Sequence, residues 1–566
     1  MKNKITKIIL LIGVAFFSSC NDLDLNPLSM GSSENWYSNE SEMRMALNDL
    51  YKSVFWPKDD YDYYYEKFTD DYTNREVSPL GPANISGQFS PVVNGWANSY
   101  KCIARANIIL ANLDRVEGQL PQVSIDKFAG EARFVRASKY AWLISHYGDV
   151  VYFTDALDLE ESFTLSRTNK NTILQAIYED YDFAASKLPV SYSSSQSMYA
   201  TKGAALAYKA RIALCMGDYA MAKDAAKACI DLGVYELFPD YGTLFLSKTK
   251  NPKELIFGIP RSTSLNATAE SRDITPRNAG GWAAANPSWE LFCSYLCTDG
   301  LPIDESPLFN PREPFKNRDP RCTATIVEFQ TPFLGYMYQP HPDSIYIMNF
   351  KTGKLQKNQD TRSVSMYASF NGLLWKKGID EEWLDDKRRE NDIMLMRYAD
   401  VLLMYAEAKI ELNEIDQSVL DAINQVRARA YKTKLGNTAA YPAVITMNQA
   451  ELRKIVRIER RMEFALEGLR YMDIIRWRLA EKVMNIPIYG LLNVNELRSR
   501  VIQPGLWFFP QTPEIDEDGV ANFTPMANAG LIRQLAIREF HPRQYLWPIP
   551  TKEILINPNL VQNPGW

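Results

Sequence analysis

Residues 451–481, ELRKIVRIERRMEFALEGLRYMDIIRWRLAE, constrain this chain most, because only a helix brings their apolar residues to one side. Asn448 stands where a cap is needed, with Glu451 three residues on, and Ile455, Ile458, Met462, Ala465, Leu466 and Leu469 recur at helical spacing. At about 100° per residue, Arg453, Arg457, Arg460 and Arg461 share one sector, and Glu459, Glu463 and Glu467 line the sector beside it. Each charge has an opposite one nearby, so the sequence predicts an ion-paired structural helix with a solvated charged face and no acid–base site. Gly468 lets the chain bend before Arg470, Asp473, Arg476 and Trp477.

Other helical patterns surround this one. Met45, Leu47, Leu50, Tyr51 and Val54 give residues 41–55 an apolar face, Trp96 opens a helix continuing to Leu113, and residues 124–147 end at Gly148, a good C-terminal stop. Residues 172–188 end at Pro189, and residues 201–216 turn at Gly217-Asp218-Tyr219 into 220–232. Ala204, Ala207, Ala210 and Ala213 face Ala222, Ala225 and Ala226, small residues that let two helices approach closely, as tetratricopeptide repeats do. A similar hairpin is predicted over 393–412 and 416–430, too far along the chain for a regular solenoid. The fold class is therefore mainly α, a tetratricopeptide-like scaffold of helical hairpins with long loop-rich insertions. The insertions, about 241–392 and 487–542, are where function usually resides.

The first 19 residues read as a signal peptide, with Lys2, Lys4 and Lys7 ahead of an apolar run over 8–17 that is too short to span a bilayer. Small residues directly before Cys20 resemble a bacterial lipobox, so Cys20 is expected to carry the lipid, followed by a tether over 20–35 and one globular unit over 36–566. Acyl chains hold such a body at a membrane because each buried methylene contributes about 0.8 kcal/mol.

The formal charge of −5 becomes −8 once the three leader lysines are removed, which argues against a nucleic-acid partner. Cys293 and Cys297 invite a metal reading, but no second Cys or His pair is near, and buried thiols are expected. His146, His341 and His541 belong to no metal-protease, serine-hydrolase or nucleotide-binding motif. No cofactor, no metal and no catalytic residue is expected. The carboxylate pairs Asp70–Asp71 and Asp385–Asp386 would serve a hydrolase only if neighbouring acids converged, and adjacent residues usually point apart.

Glu459-Arg460-Arg461-Met462-Glu463-Phe464, followed by Glu467-Gly468-Leu469-Arg470-Tyr471-Met472-Asp473-Ile474-Ile475-Arg476-Trp477, resembles the C-terminal signature of the SusD/RagB family of surface nutrient-binding lipoproteins. Residues 130–137 and 147–150 resemble its N-terminal part, about 36–240, although Val151 stands where members usually have proline. Residues 397–408 and the ending at 545–566 resemble its C-terminal part, about 241–566, so the likeness runs from Cys20 to Trp566. It implies a non-catalytic, outer-membrane, cell-surface lipoprotein that captures oligosaccharides, or less often peptides, and caps a SusC-like TonB-dependent transporter. In glycan-binding relatives a Trp at the start of the helix matching 96–113 belongs to an aromatic platform. The resemblance thus implies Trp96 as ligand residue, with Asp71 and Arg75 as partners; Ser99 stands where an amide would be more useful, which points away from starch.

The chemistry agrees with binding. Flat rings take the C–H faces of sugars while polar groups satisfy the hydroxyls, and the chain has 12 Trp and 31 Tyr to draw on. Besides Trp96, the loop-borne candidates are Trp282, Tyr336, Tyr338, Trp375 and Trp383. The alternatives are a helical protein-interaction scaffold or peptide-binding lid, and a glycoside hydrolase.

Overall fold

The computed structural model describes residues 36–56, 66–75, 85–157, 159–193, 198–381 and 387–566. The leader, Cys20, the tether, Trp383, Asp385 and Asp386 lie outside them. The helices α1 (Glu40–Leu50), α2 (Ser90–Ala111), α3 (Gln122–Tyr147), α4 (Lys170–Lys187), α5 (Lys202–Met216), α6 (Tyr219–Ile230), α7 (Tyr398–Glu411), α8 (Gln417–Ala430), α9 (Gln449–Glu463) and α10 (Arg470–Arg476) form the scaffold. Each of α2 to α8 packs on the next, with α9 laid against α7, so the helical-hairpin architecture is present.

Local chemistry sets most boundaries. The Thr201 hydroxyl accepts from Ala204 N at 3.1 Å, and Gly217 ends α5 in the left-handed region at φ +80. Asp218 then caps α6 by accepting from Met221 N at 3.1 Å. Ala204, Ala207, Ala210, Ala213, Ala222 and Ala226 are fully buried, consistent with close approach of the two helices. The helix predicted to open at Trp96 begins instead at Ser90, with Pro91 in its first turn.

The start of the second hairpin also differs from expectation. Residues 393–397 form strand Ile393–Arg397, paired antiparallel with Leu255–Ile259, and all five residues of each are buried. A short apolar run covered on both faces has no period that distinguishes strand from helix. The insertion contains a four-stranded antiparallel sheet of β4 (Thr331–Phe333), β5 (Tyr336–Tyr338), β6 (Tyr346–Asn349) and β7 (Lys354–Lys357), in the order β7-β6-β5-β4. Preceding it, β1 (Tyr72–Asn74) pairs with β3 (Ala285–Pro287), Leu255–Ile259 being β2; after it come β8 (Ile393–Arg397), β9 (Ile488–Gly490) and β10 (Arg533–Ala536), the last two paired.

The signature segment departs most from its expected reading. Asn448 does cap α9, accepting from Glu451 N at 3.0 Å, but α9 stops at Glu463, and Leu466 (φ 60) and Gly468 (φ 67) turn the chain into α10. The later part of the charged sectors faces inward rather than to solvent: Glu459, Arg460, Arg461, Glu463 and Glu467 are all buried, whereas Arg453 and Arg457 stay partly exposed. Ile455 and Ile458 are only partly buried, whereas Leu452 and Val456 are fully covered. Glu463 Oε1 accepts from Arg397 at 2.6 Å and from Arg429, and its Oε2 accepts from Arg321 at 3.0 Å. Glu467 accepts from Arg397 at 2.7 and 2.8 Å and from Lys377 at 2.7 Å. Four chain segments are thereby fixed to one turn of polypeptide.

Burial alone would raise the Glu463 carboxyl, but Arg429, Arg397 and Arg321 outweigh it and hold the group well below the ordinary carboxylate range. Asp400 is held down in the same way by Arg211 and Arg460. A buried charge stripped of a partner costs about 3–5 kcal/mol. Arg397→Met is therefore expected to lower unfolding free energy in urea by that amount, and a loss under about 1 kcal/mol would show the network to be dispensable. Carboxylates depressed in the folded state stabilise it above their unfolded values near pH 4, and that contribution is lost as pH falls through the folded values. The urea midpoint should therefore drop steeply below about pH 4, a drop that the Glu463→Gln variant should show in weaker form.

Candidate functional site

The expected ligand residues separate by burial. Trp96 is 4% exposed, its ring centroid 4.9 Å from that of Tyr100 and 5.1 Å from that of Tyr147. The expectation of an open Trp96 is corrected, because this side chain sits within α2 facing α3 and fills the helical core. Asp71 is buried and its Oδ1 accepts from Arg461 Nε at 2.8 Å and Nη2 at 2.6 Å, while Asp70 accepts twice from Arg470 at 2.8 Å. Neither is offered to a ligand, and the pair clamps β1 to the signature segment. Burial and the Asp70 charge push the Asp71 carboxyl up, against Arg461, while Arg461 and Arg470 hold Asp70 well down. Tyr338 is buried and donates to Gly372 O at 2.7 Å, and Trp375 is fully buried, so these two also leave the list. Tyr336 is half-buried on the sheet, with Lys351 Nζ 5.6 Å from its ring centroid.

Arg75 and Trp282, 207 residues apart in sequence, come together. Antiparallel pairing of β1 with β3 places Arg75 beside the loop that precedes β3, and Arg75 N donates to Ala284 O at 2.8 Å. The Arg75 guanidinium donates to the carbonyl oxygens of Trp282 and, at 3.2 Å, of Tyr367. The same guanidinium lies 5.1 Å from the Tyr367 ring centroid. Gly281 makes the turn possible: a Cβ there would lie 2.1 Å from Thr275 O. Trp282 N donates to Arg272 O at 2.7 Å, and its ring is left 48% exposed with the Arg272 guanidinium 5.9 Å from it.

Tyr367, 50% exposed, was not singled out by sequence. Its loop is fixed to the Trp282 loop by Asp360, whose buried carboxylate accepts from Arg277 N at 2.7 Å, Asn278 N at 3.2 Å and Asn278 Nδ2 at 2.6 Å. Arg277 reaches back over the Tyr367 ring, 5.4 Å from its centroid. The arrangement is two half-exposed aromatic rings on rigidly tied loops with guanidinium groups between and beside them. The rings suit stacking against sugar faces, and the guanidiniums supply directed donors at the edges. The one signal in the sequence was an aromatic residue, Tyr367, within the hydroxyl-rich stretch 361–369.

The remaining chemistry is structural. His146 is buried against Trp142 and Trp547, and burial lowers its pKa to about 4, so it is neutral at neutral pH. Cys293 and Cys297 are buried free thiols. Among the described residues no group of three or more His, Cys, Asp or Glu is placed to hold a metal ion, and no helix is long and apolar enough to cross a membrane. A cavity of about 190 Å³ lined by Trp142, Tyr208, Cys215 and Met472 lies among the helices, smaller than the roughly 300 Å³ at which ligand pockets begin.

Comparison with known proteins accords with this architecture. Residues 253–566 match the SusD family, and residues 29–214 match a family described as starch-binding and associating with the outer membrane. The first match covers more than half of the chain, which belongs to the SusD family. SusD-like protein P2 of Formosa agariphila is 25% identical over 601 residues, spanning 100% of both chains. A SusD-like carbohydrate binding protein from Bacteroides fragilis superposes with a TM-score of 0.76 at 28% identity, over 93% of this chain and 99% of that one. A laminarin binding SusD-like protein shares the fold, with a TM-score of 0.63 at 18% identity over 94% of this chain and 100% of that one.

The two tryptophans make a direct test of the division between core and surface. Trp96→Ala should cost about 3–5 kcal/mol of stability in urea unfolding, whereas Trp282→Ala should stay within about 0.5 kcal/mol of the parent. Equal losses would contradict it.

Proposed function

We propose that this protein is a non-catalytic cell-surface receptor for oligosaccharides, in which Trp282 and Tyr367 form the stacking platform and Arg75 holds them in register. The observation that carries this reading is the pair of half-exposed aromatic residues whose backbone carbonyls accept from one guanidinium, in a fold shared with a carbohydrate binding protein from Bacteroides fragilis. Stacking on fixed rings needs no reactive group and loses little conformational entropy on binding. Tyr336, partly exposed on the sheet, would add a further ring for longer ligands. Cys20 supplies the lipid anchor, residues 20–35 the tether and residues 36–566 one globular unit. In this role the protein passes captured ligand to a SusC-like TonB-dependent transporter in the outer membrane. The family description, which associates members with that membrane, supports the location.

Affinity electrophoresis through gels containing laminarin and other polysaccharides tests the receptor role. A retained glycan should be bound at least tenfold more weakly by Trp282→Ala/Tyr367→Ala, while products of incubation with that glycan stay uncut. Calorimetry that is flat for every glycan, together with recovery of the transporter in a pull-down, would favour the interaction scaffold instead. Release of shortened chains would favour a hydrolase.

A further inference from the structure

The loop that presents Tyr367 also carries an arrangement of charge that stacking on neutral sugar does not need. Arg362 and Arg533 lie on one ring: their guanidinium carbons are 4.0 Å and 5.3 Å from the Phe370 centroid. Phe370 is held in place by packing on Ile488, Leu535 and Ala536 and by its carbonyl, which accepts from Leu491 N at 2.9 Å. Arg533 opens β10, opposite Gly490 of β9, and donates to Asn493 Oδ1 at 2.8 Å. Two cations are thus held against one ring, and their charges repel each other.

The buried guanidiniums of Arg397, Arg461 and Arg470 are matched with carboxylates. This pair is not matched: among the described residues neither has a carboxylate within 4 Å, and the acid that acts on Arg533 from farther off is the exposed Glu496. Arg362 Nη1 and Arg533 Nε are buried donors without a hydrogen-bond acceptor in the protein. Burial first and the Arg533 charge second lower the Arg362 pKa to about 10, which records the same lack of a counter-ion. Both side chains remain partly exposed, and the planar fork of a guanidinium fits a carboxylate or a sulfate ester, which accept two parallel hydrogen bonds.

We propose that Arg362 and Arg533 form an anion subsite beside the aromatic platform, so that the ligand is an acidic glycan bearing a uronate carboxylate or a sulfate ester. The inference rests on the glycan-receptor reading and adds the charge of the sugar to it. The aromatic rings take the sugar faces, and the anionic substituent is received by the two guanidiniums over Phe370.

Matched pairs of polysaccharides separate the two sources of the anion: a sulfated galactan against its desulfated form, and a glucuronan against its carboxyl-reduced form. Isothermal calorimetry on the full folded protein should show at least a tenfold preference for the charged member of one pair, weakening as salt is raised. Arg362→Gln/Arg533→Gln should bring the charged member down to the affinity of the neutral one and leave the neutral one unchanged, with an unaltered unfolding midpoint. Equal affinity for charged and neutral members in the parent overturns the anion subsite while leaving the receptor reading intact. A preference that survives in the double variant also overturns it. Loss of neutral binding in Trp282→Ala/Tyr367→Ala tests the platform separately, and failure of every polysaccharide to bind overturns both.

Discussion

Glu463 is the point on which the rest of the molecule depends. One carboxylate, fully buried, receives guanidiniums from Arg321 in the insertion, Arg397 at the end of β8 and Arg429 near the end of α8. Taking these charges out of water is costly, and their mutual attraction offsets that cost only when every partner is present with good geometry. The network therefore acts less as a source of net stability than as a condition of assembly. Helical hairpin, strand pair and insertion must all be in place before the ions are satisfied. Glu459 and Glu467 extend the same logic by adding Arg427 and Lys377.

The candidate site is anchored to this network by contiguous structure. Arg461, two residues before Glu463, binds Asp71, and Asp71 leads directly into β1. Through its pairing with β3, that strand sets Arg75 beside Trp282, and Asp360 then fixes the Tyr367 loop to the same place. A loop site held this way can expose aromatic rings without losing their relative position. Preorganisation of that kind is what a receptor for flexible, weakly interacting sugar chains requires.

Aromatic residues here divide into two populations that composition does not distinguish. Trp96, Trp289, Trp375 and Trp547 are wrapped by other side chains and contribute to the core, each a large buried apolar area. Trp282 and Tyr367 remain half in solvent because the chain on either side of them is tied down by backbone and side-chain hydrogen bonds rather than by packing over the rings. The carboxylates belong wholly to the interior: Asp70 and Asp71 stand next to each other in sequence and share Arg461, with Arg470 on Asp70 as well, and burial in these ion pairs removes them as an acid–base pair.

The sequence by itself determined what local chemistry can settle. The periodic apolar faces, the caps at Thr201, Asp218 and Asn448, the stop at Gly217 and the small-residue contact between paired helices were all legible, because each involves residues within a few turns of one another. The signature segment was legible as a family mark and as an ion-paired element; Arg75 was named from that resemblance, and Trp282 from its place as an aromatic residue in a loop. Tertiary structure alone decided which side of that segment faces inward, that residues 393–397 are strand, and which aromatic rings reach the surface. Burial of a charge or a ring depends on the partner that covers it. Asp71 meets Arg461 across 390 residues of chain, a distance over which no local pattern carries information.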